Sequence, residues 1–155
     1  MKAVIQRVIG AKLRIDSHIH SQFDGVGLLV LLGVSVFDTE ENIDKDIEWL
    51  VNKLVKLRIF RDENQQMNRS LLDVNGSIMV VSQFTLFAST KRGNRPSFTN
   101  SASSEIAKPV YEKFIKKLEH KIQQKVATGI FGADMQLDFV NDGPVTVVID
   151  TLHKE

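Results

Sequence analysis

The sequence predicts an α+β fold in which a curved, barrel-like sheet, mixed or antiparallel, is covered by two main helices. Two observations carry this: several strand-like segments accompany only two amphipathic stripes at spacings of three and four, and strands and helices do not alternate strictly. A chain of 155 residues suits one domain, 1–155, with its own core. Residues 3–15 mix Val4, Ile5, Val8, Ile9, Leu13 and Ile15 with Lys and Arg, which predicts two short half-buried strands around Gly10. Residues 26–34 are apolar on both strand faces, as a central strand would be. Asp38 then offers an N-cap with Glu41 three places on, and Ile43, Ile47, Leu50, Val51, Leu54 and Leu57 predict a helix over about 40–57. The polar stretch 58–76, with Asn75-Gly76, reads as a connecting excursion with a turn. Strand character returns over 77–87, and 88–104 is a long polar loop of the kind that often carries function. Tyr111, Phe114, Ile115, Leu118 and Ile122 mark the second helix, and Pro109 predicts either its start or a kink in its first turns. Two closing strands, 135–140 and 145–150, are expected on either side of Asn141-Asp142-Gly143-Pro144.

Composition narrows the function. Apolar residues at 43% and charged residues at 25% are those of an ordinary folded domain, which sets disorder aside. Lys plus Arg number 20 against 19 Asp plus Glu, so a polyanion site must be local rather than a whole-molecule field. The absence of Cys excludes disulfides, zinc–thiolate and iron–sulfur centres and a thiol nucleophile, and it fits a reducing cytoplasm. The longest apolar run, 26–37, is about half of the ~20 residues a bilayer crossing needs, so no membrane partner is expected, and the opening residues lack a signal-peptide layout.

Signatures of phosphate loops, dinucleotide folds, nucleophile elbows and zincins are missing. His18 and His20 share a strand face, but no third ligand lies near in sequence; a solvated face is the plainer reading, and no metal or cofactor is expected. His120 and His153 read as surface residues. Two segments are unusual. In Ser82-Gln83-Phe84-Thr85 an apolar strand abruptly acquires hydrogen-bonding side chains, which either bond nearby backbone or open into a cleft. Asn141-Asp142-Gly143-Pro144-Val145-Thr146 is either a plain turn or, with a cis proline, a segment aimed for a site.

These two segments, at this separation in a chain of this length, resemble the paired signatures of the D-aminoacyl-tRNA deacylases. The likeness extends over essentially the whole chain, through Ile5-Gln6-Arg7-Val8, 27–34, Arg58-Ile59-Phe60, Met67-Asn68, 92–98 and 133–136. The resemblance implies a homodimer in which Gly143-Pro144 of one subunit enters the pocket formed by Ser82, Gln83, Phe84 and Thr85 of the other. It also implies an aminoacyl-tRNA substrate whose 3′-terminal adenosine carries a D-amino acid or a misplaced glycine. Main-chain groups around Phe84 and Thr85 would hold the substrate, with the terminal 2′-hydroxyl helping to activate water; a covalent Thr85 mechanism is the alternative. On the same resemblance Arg7 and Asn141 support the Gly-Pro turn, Phe131 and Met135 wall the adenine pocket, and Lys91, Arg92 and Arg95 meet tRNA phosphates. The plainer readings of these residues are an edge charge, core packing and a solvated loop. A nucleic-acid-binding dimer of this fold without turnover is the competing function.

Overall fold

The computed structural model describes residues 1–38 and 40–154. β1 (Lys2–Ile15) and β2 (His18–Gly33) form a long antiparallel hairpin. Asp16 and Ser17, both at positive φ, make its two-residue turn, the geometry that matches strand twist. A single strand therefore replaces the two expected around Gly10, because the glycine takes φ +71° at a register shift and lets β1 continue.

Behind β2 come α1 (Ile43–Lys56), the short hairpin of β3 (Phe60–Arg61) and β4 (Met67–Arg69), and β5 (Ser77–Ser82), which returns parallel to β2. Asp38 does not cap α1. Its carboxylate is drawn inward to the Met1 amine and the Ser35 N–H, and Asn42 stands at the helix N-cap. The excursion over 58–76 includes the unexpected β3–β4 hairpin as well as the predicted Asn75-Gly76 turn. β5 stops at Ser82, and Phe84–Phe87 wind into a 3-10 turn rather than continuing the strand.

α2 (Ser104–Ile122) begins five residues before Pro109, so the proline sits inside the helix and leaves the Glu105 carbonyl without its usual donor. β6 (Ala127–Thr128) adds to β5, and β7 (Gln136–Asp150) adds to β1. The sheet order is β6-β5-β2-β1-β7, with β2 central as its doubly apolar sequence requires. The expected barrel does not close: two-residue β6 and fifteen-residue β7 lie at opposite edges, and among the described residues no ladder joins them. Both helices pack on one face, over Ala3, Ile5, Leu28, Val30, Leu32, Ile78 and Val80. The other face carries a second cluster around Val8, Leu13, Leu29, Met79 and Val81.

Candidate active site

The change in character at the end of β5 is what opens the site. Val81 is still buried in the cluster on the face away from the helices, whereas Ser82 and Gln83 emerge where β2 also ends. The Gln83 N–H donates to the Leu32 carbonyl at 2.8 Å, which anchors the segment before it turns. A cleft of about 290 Å³ follows, lined among others by Ser82, Gln83, Phe84, Tyr111, Phe131 and Met135. The structure thus brings together three of the four residues of the first signature with both expected adenine-wall residues.

Thr85 stands outside this lining; its hydroxyl accepts from Gln83 Nε2 at 2.5 Å. Phe84 is 57% exposed, an unusual state for a phenylalanine, and packs edge-on against Phe98 with centroids 5.0 Å apart. Tyr111, missed as a site residue because its spacing marks it as helix core, forms part of the cleft wall from α2. Its hydroxyl donates to the Val80 carbonyl at 2.8 Å, and burial pushes its pKa well above the usual phenolic range. With its hydroxyl committed to that carbonyl, Tyr111 forms a fixed part of the cleft wall. Asp134 at the rim was also missed, since only the fold brings residues 131–137 beside β5.

The Gly-Pro segment does not divide two strands. β7 runs through it, and residues 142–145 bulge opposite the single residue Arg7 between the pairs Gln6–Thr146 and Val8–Asn141. The Gly143-Pro144 bond is cis, as the functional reading of the turn requires. Arg7 is 3% exposed, with its Nε 2.7 Å from Asp142 Oδ2 and its Nη1 donating to the Ile59 carbonyl. An arginine on an edge would be solvated; this one is buried because β7 covers β1. Asn141, with its amide oriented to satisfy both ends, donates to the Arg7 carbonyl at 3.1 Å and accepts from Gln6 Nε2 at 3.0 Å. Gly143 and Pro144 are exposed, and they, Arg7 and Asn141 are all absent from the lining of their own chain's cleft.

Lys91, Arg92 and Arg95 lie on an exposed loop clipped at its base by Ser89 and Ser97, with no carboxylate partner among the described residues. His18 is exposed, with Nδ1 2.7 Å from the Asp16 carbonyl, and among the described residues no three His, Cys, Asp or Glu side chains gather as metal ligands. No helix of the described chain is long and apolar enough to cross a membrane.

A family model described as D-Tyr-tRNA(Tyr) deacylase matches residues 4–150. A protein of Cytophaga hutchinsonii named D-aminoacyl-tRNA deacylase is 54% identical over 155 residues, the whole of both chains. One of the same name from Flavobacterium psychrophilum is 52% identical over the same full length. Among solved structures, one named c-Myc DNA Unwinding Element Binding Protein superposes with a TM-score of 0.88 at 38% identity, covering 97% of this chain and 98% of that one. Another, of a probable eukaryotic D-amino acid tRNA deacylase, gives a TM-score of 0.84 over 96% and 97% of the two chains; at 18% identity it speaks to the fold alone. Matched along nearly its whole length by the family model and end to end by these bacterial relatives, the chain belongs to the D-Tyr-tRNA(Tyr) deacylase family.

Proposed function

We propose that this protein hydrolyses the ester bond of D-aminoacyl-tRNA, and of tRNA wrongly charged with glycine, releasing free tRNA and the amino acid as a step of translation proofreading in the cytoplasm. The observation that carries the reading is the cleft between Ser82-Gln83-Phe84 and the Phe131–Met135 wall in a chain of this family. An aminoacyl ester is already activated, so positioning and oxyanion stabilisation can suffice without a strong protein base. Main-chain groups at Phe84 and Thr85 hold the scissile carbonyl, the 3′-terminal adenine lies against Phe131 and Met135, and the neighbouring ribose hydroxyl assists the attacking water. A covalent Thr85 route is disfavoured, because the Thr85 hydroxyl is engaged by an amide and no basic side chain is hydrogen-bonded to it among the described residues.

The exposed Gly143-Pro144 bulge lies outside its own cleft, which supports a homodimer in which it completes the site of the partner subunit. Arg7 and Asn141 hold that bulge from β1. There it rejects L-amino acids by steric exclusion, whereas a D side chain points elsewhere and glycine has none to clash. Lys91, Arg92 and Arg95 meet tRNA phosphates. The competing reading, a nucleic-acid-binding dimer without turnover, draws on the DNA-binding name of the solved structure at 38% identity. Deacylation of matched D-, L- and glycyl-tRNAs separates the two: release of D-amino acids and glycine but not L is expected, and binding without release would overturn the hydrolase.

A further inference from the structure

The exposed corner of the cleft is held from outside the cleft. Ser101 Oγ donates to the Phe84 carbonyl at 2.8 Å, beside the edge contact of Phe98 with the Phe84 ring. Ser101 is itself set by its backbone: it bridges to Ser35, its N–H donates to the Phe98 carbonyl at 3.0 Å, and the next amide, of Ala102, donates to Val34 O at 3.0 Å. On its other side the Asn100 carbonyl accepts from the Val36 N–H at 3.1 Å. Across the contact, Gln83 is fastened to the Leu32 carbonyl. Donor and acceptor therefore both hang from the end of β2 and its continuation through 34–36. A hydroxyl delivered from backbone fastened on both sides sets a direction that a loose surface contact would not.

We propose that Ser101 is a positioning residue that aims the Phe84–Thr85 peptide. This peptide is trans, so its carbonyl and its N–H point to opposite sides, and the hydrogen bond that orients the Phe84 carbonyl toward Ser101 also orients the Thr85 N–H. The inference rests on the deacylase reading, in which main-chain groups of this segment meet the scissile carbonyl. Ser101 does not line the cleft and touches no reacting atom; its effect passes through the peptide it holds. Such a contact bears on the transition state more than on tRNA binding, because the tRNA is held by surfaces Ser101 does not reach.

The test compares wild type, Ser101→Ala and Ser101→Thr in two measurements on the full-length protein. In steady-state deacylation of a D-aminoacyl-tRNA, Ser101→Ala is expected to lower kcat about tenfold with KM within about twofold, less than the roughly 10²–10³ that follows removal of an oxyanion donor itself. Ser101→Thr keeps the hydroxyl and should restore kcat. In amide NMR spectra without substrate, the Thr85 cross-peak should move in the Ala variant, with faster hydrogen exchange, and return in the Thr variant. An Ala variant with unchanged kcat, a change confined to KM, or a Thr variant as slow as Ala would overturn the proposal. If the wild type releases no amino acid from any aminoacyl-tRNA, the deacylase reading falls, while the Thr85 cross-peak still decides whether Ser101 aims this peptide.

Discussion

Gly143 is the residue at which one added carbon has the clearest consequence. Its φ of +120° is a conformation L side chains rarely adopt, and a Cβ there would stand 2.8 Å from both Arg7 Nη2 and Val145 Cγ2. Arg7 cannot retreat cheaply, since its guanidinium is fastened to Asp142 and to the Ile59 carbonyl. Gly143→Ala is therefore expected to cost about 1–3 kcal/mol in urea unfolding. D-aminoacyl-tRNA turnover should also fall, about a hundredfold, because a small displacement of the bulge misplaces substrate. Full activity in this variant would show that the bulge does not meet the substrate. The histidines give the contrary expectation. With His18 and His20 exposed and no third ligand gathered with them among the described residues, His18→Ala/His20→Ala should deacylate at the wild-type rate, and added chelator should change neither protein. Lost turnover in a folded double variant would place a site on that strand.

At the scale of elements, the two signatures are both places where a strand's pairing breaks off or shifts for a reason outside the strand itself. β5 ends because its parallel partner β2 ends, and the apolar faces that would bury Ser82 and Gln83 end with it. β7 bulges because four residues stand opposite one on β1, and the buried Arg7 fills the gap. The stretch 90–96, beyond the Ser89–Ser97 bridge, pairs with no strand and presents Lys91, Arg92 and Arg95 to solvent. Replacing all three by Ala should raise KM for tRNA and leave kcat nearly unchanged, since phosphate contacts position the substrate without entering the chemistry. The slope of log affinity against log salt should flatten by about 2, at roughly 0.7–0.9 for each phosphate no longer neutralised. An unchanged slope would return the loop to a solvated surface.

For the molecule as a whole, the sheet face turned away from the helices is incompletely covered. Val148 is 62% exposed there, paired through Val4 with Leu31 across three strands, and Phe84 is exposed at its end. In the homodimer proposed above, a second copy laid on this face would cover it. Sedimentation should therefore show a dimer at assay concentrations. Val148→Lys, a change an exposed position tolerates within one subunit, should shift the protein toward monomer and remove activity with it. A monomer with full turnover would refute the shared site.

Much of this protein is legible without its fold. Helical spacing located both helices, the doubly apolar run located the central strand, and the two short signatures carried the family resemblance, because periodicity and residue identity are properties of the chain itself. The boundaries were not legible. Asp38 and Glu41 look like a capping box in sequence, yet the Met1 amine brought beside Asp38 by β1 takes that carboxylate instead. Residues 135–140 and 145–150 look like two strands until a single partner, β1, pairs with both. Nothing in Tyr111 or Ser101 distinguishes them in sequence from core and loop residues. Each donates to a backbone carbonyl, 31 positions away for Tyr111 and 17 for Ser101, a separation that only the packing of α2 and the 97–102 segment against the sheet could close.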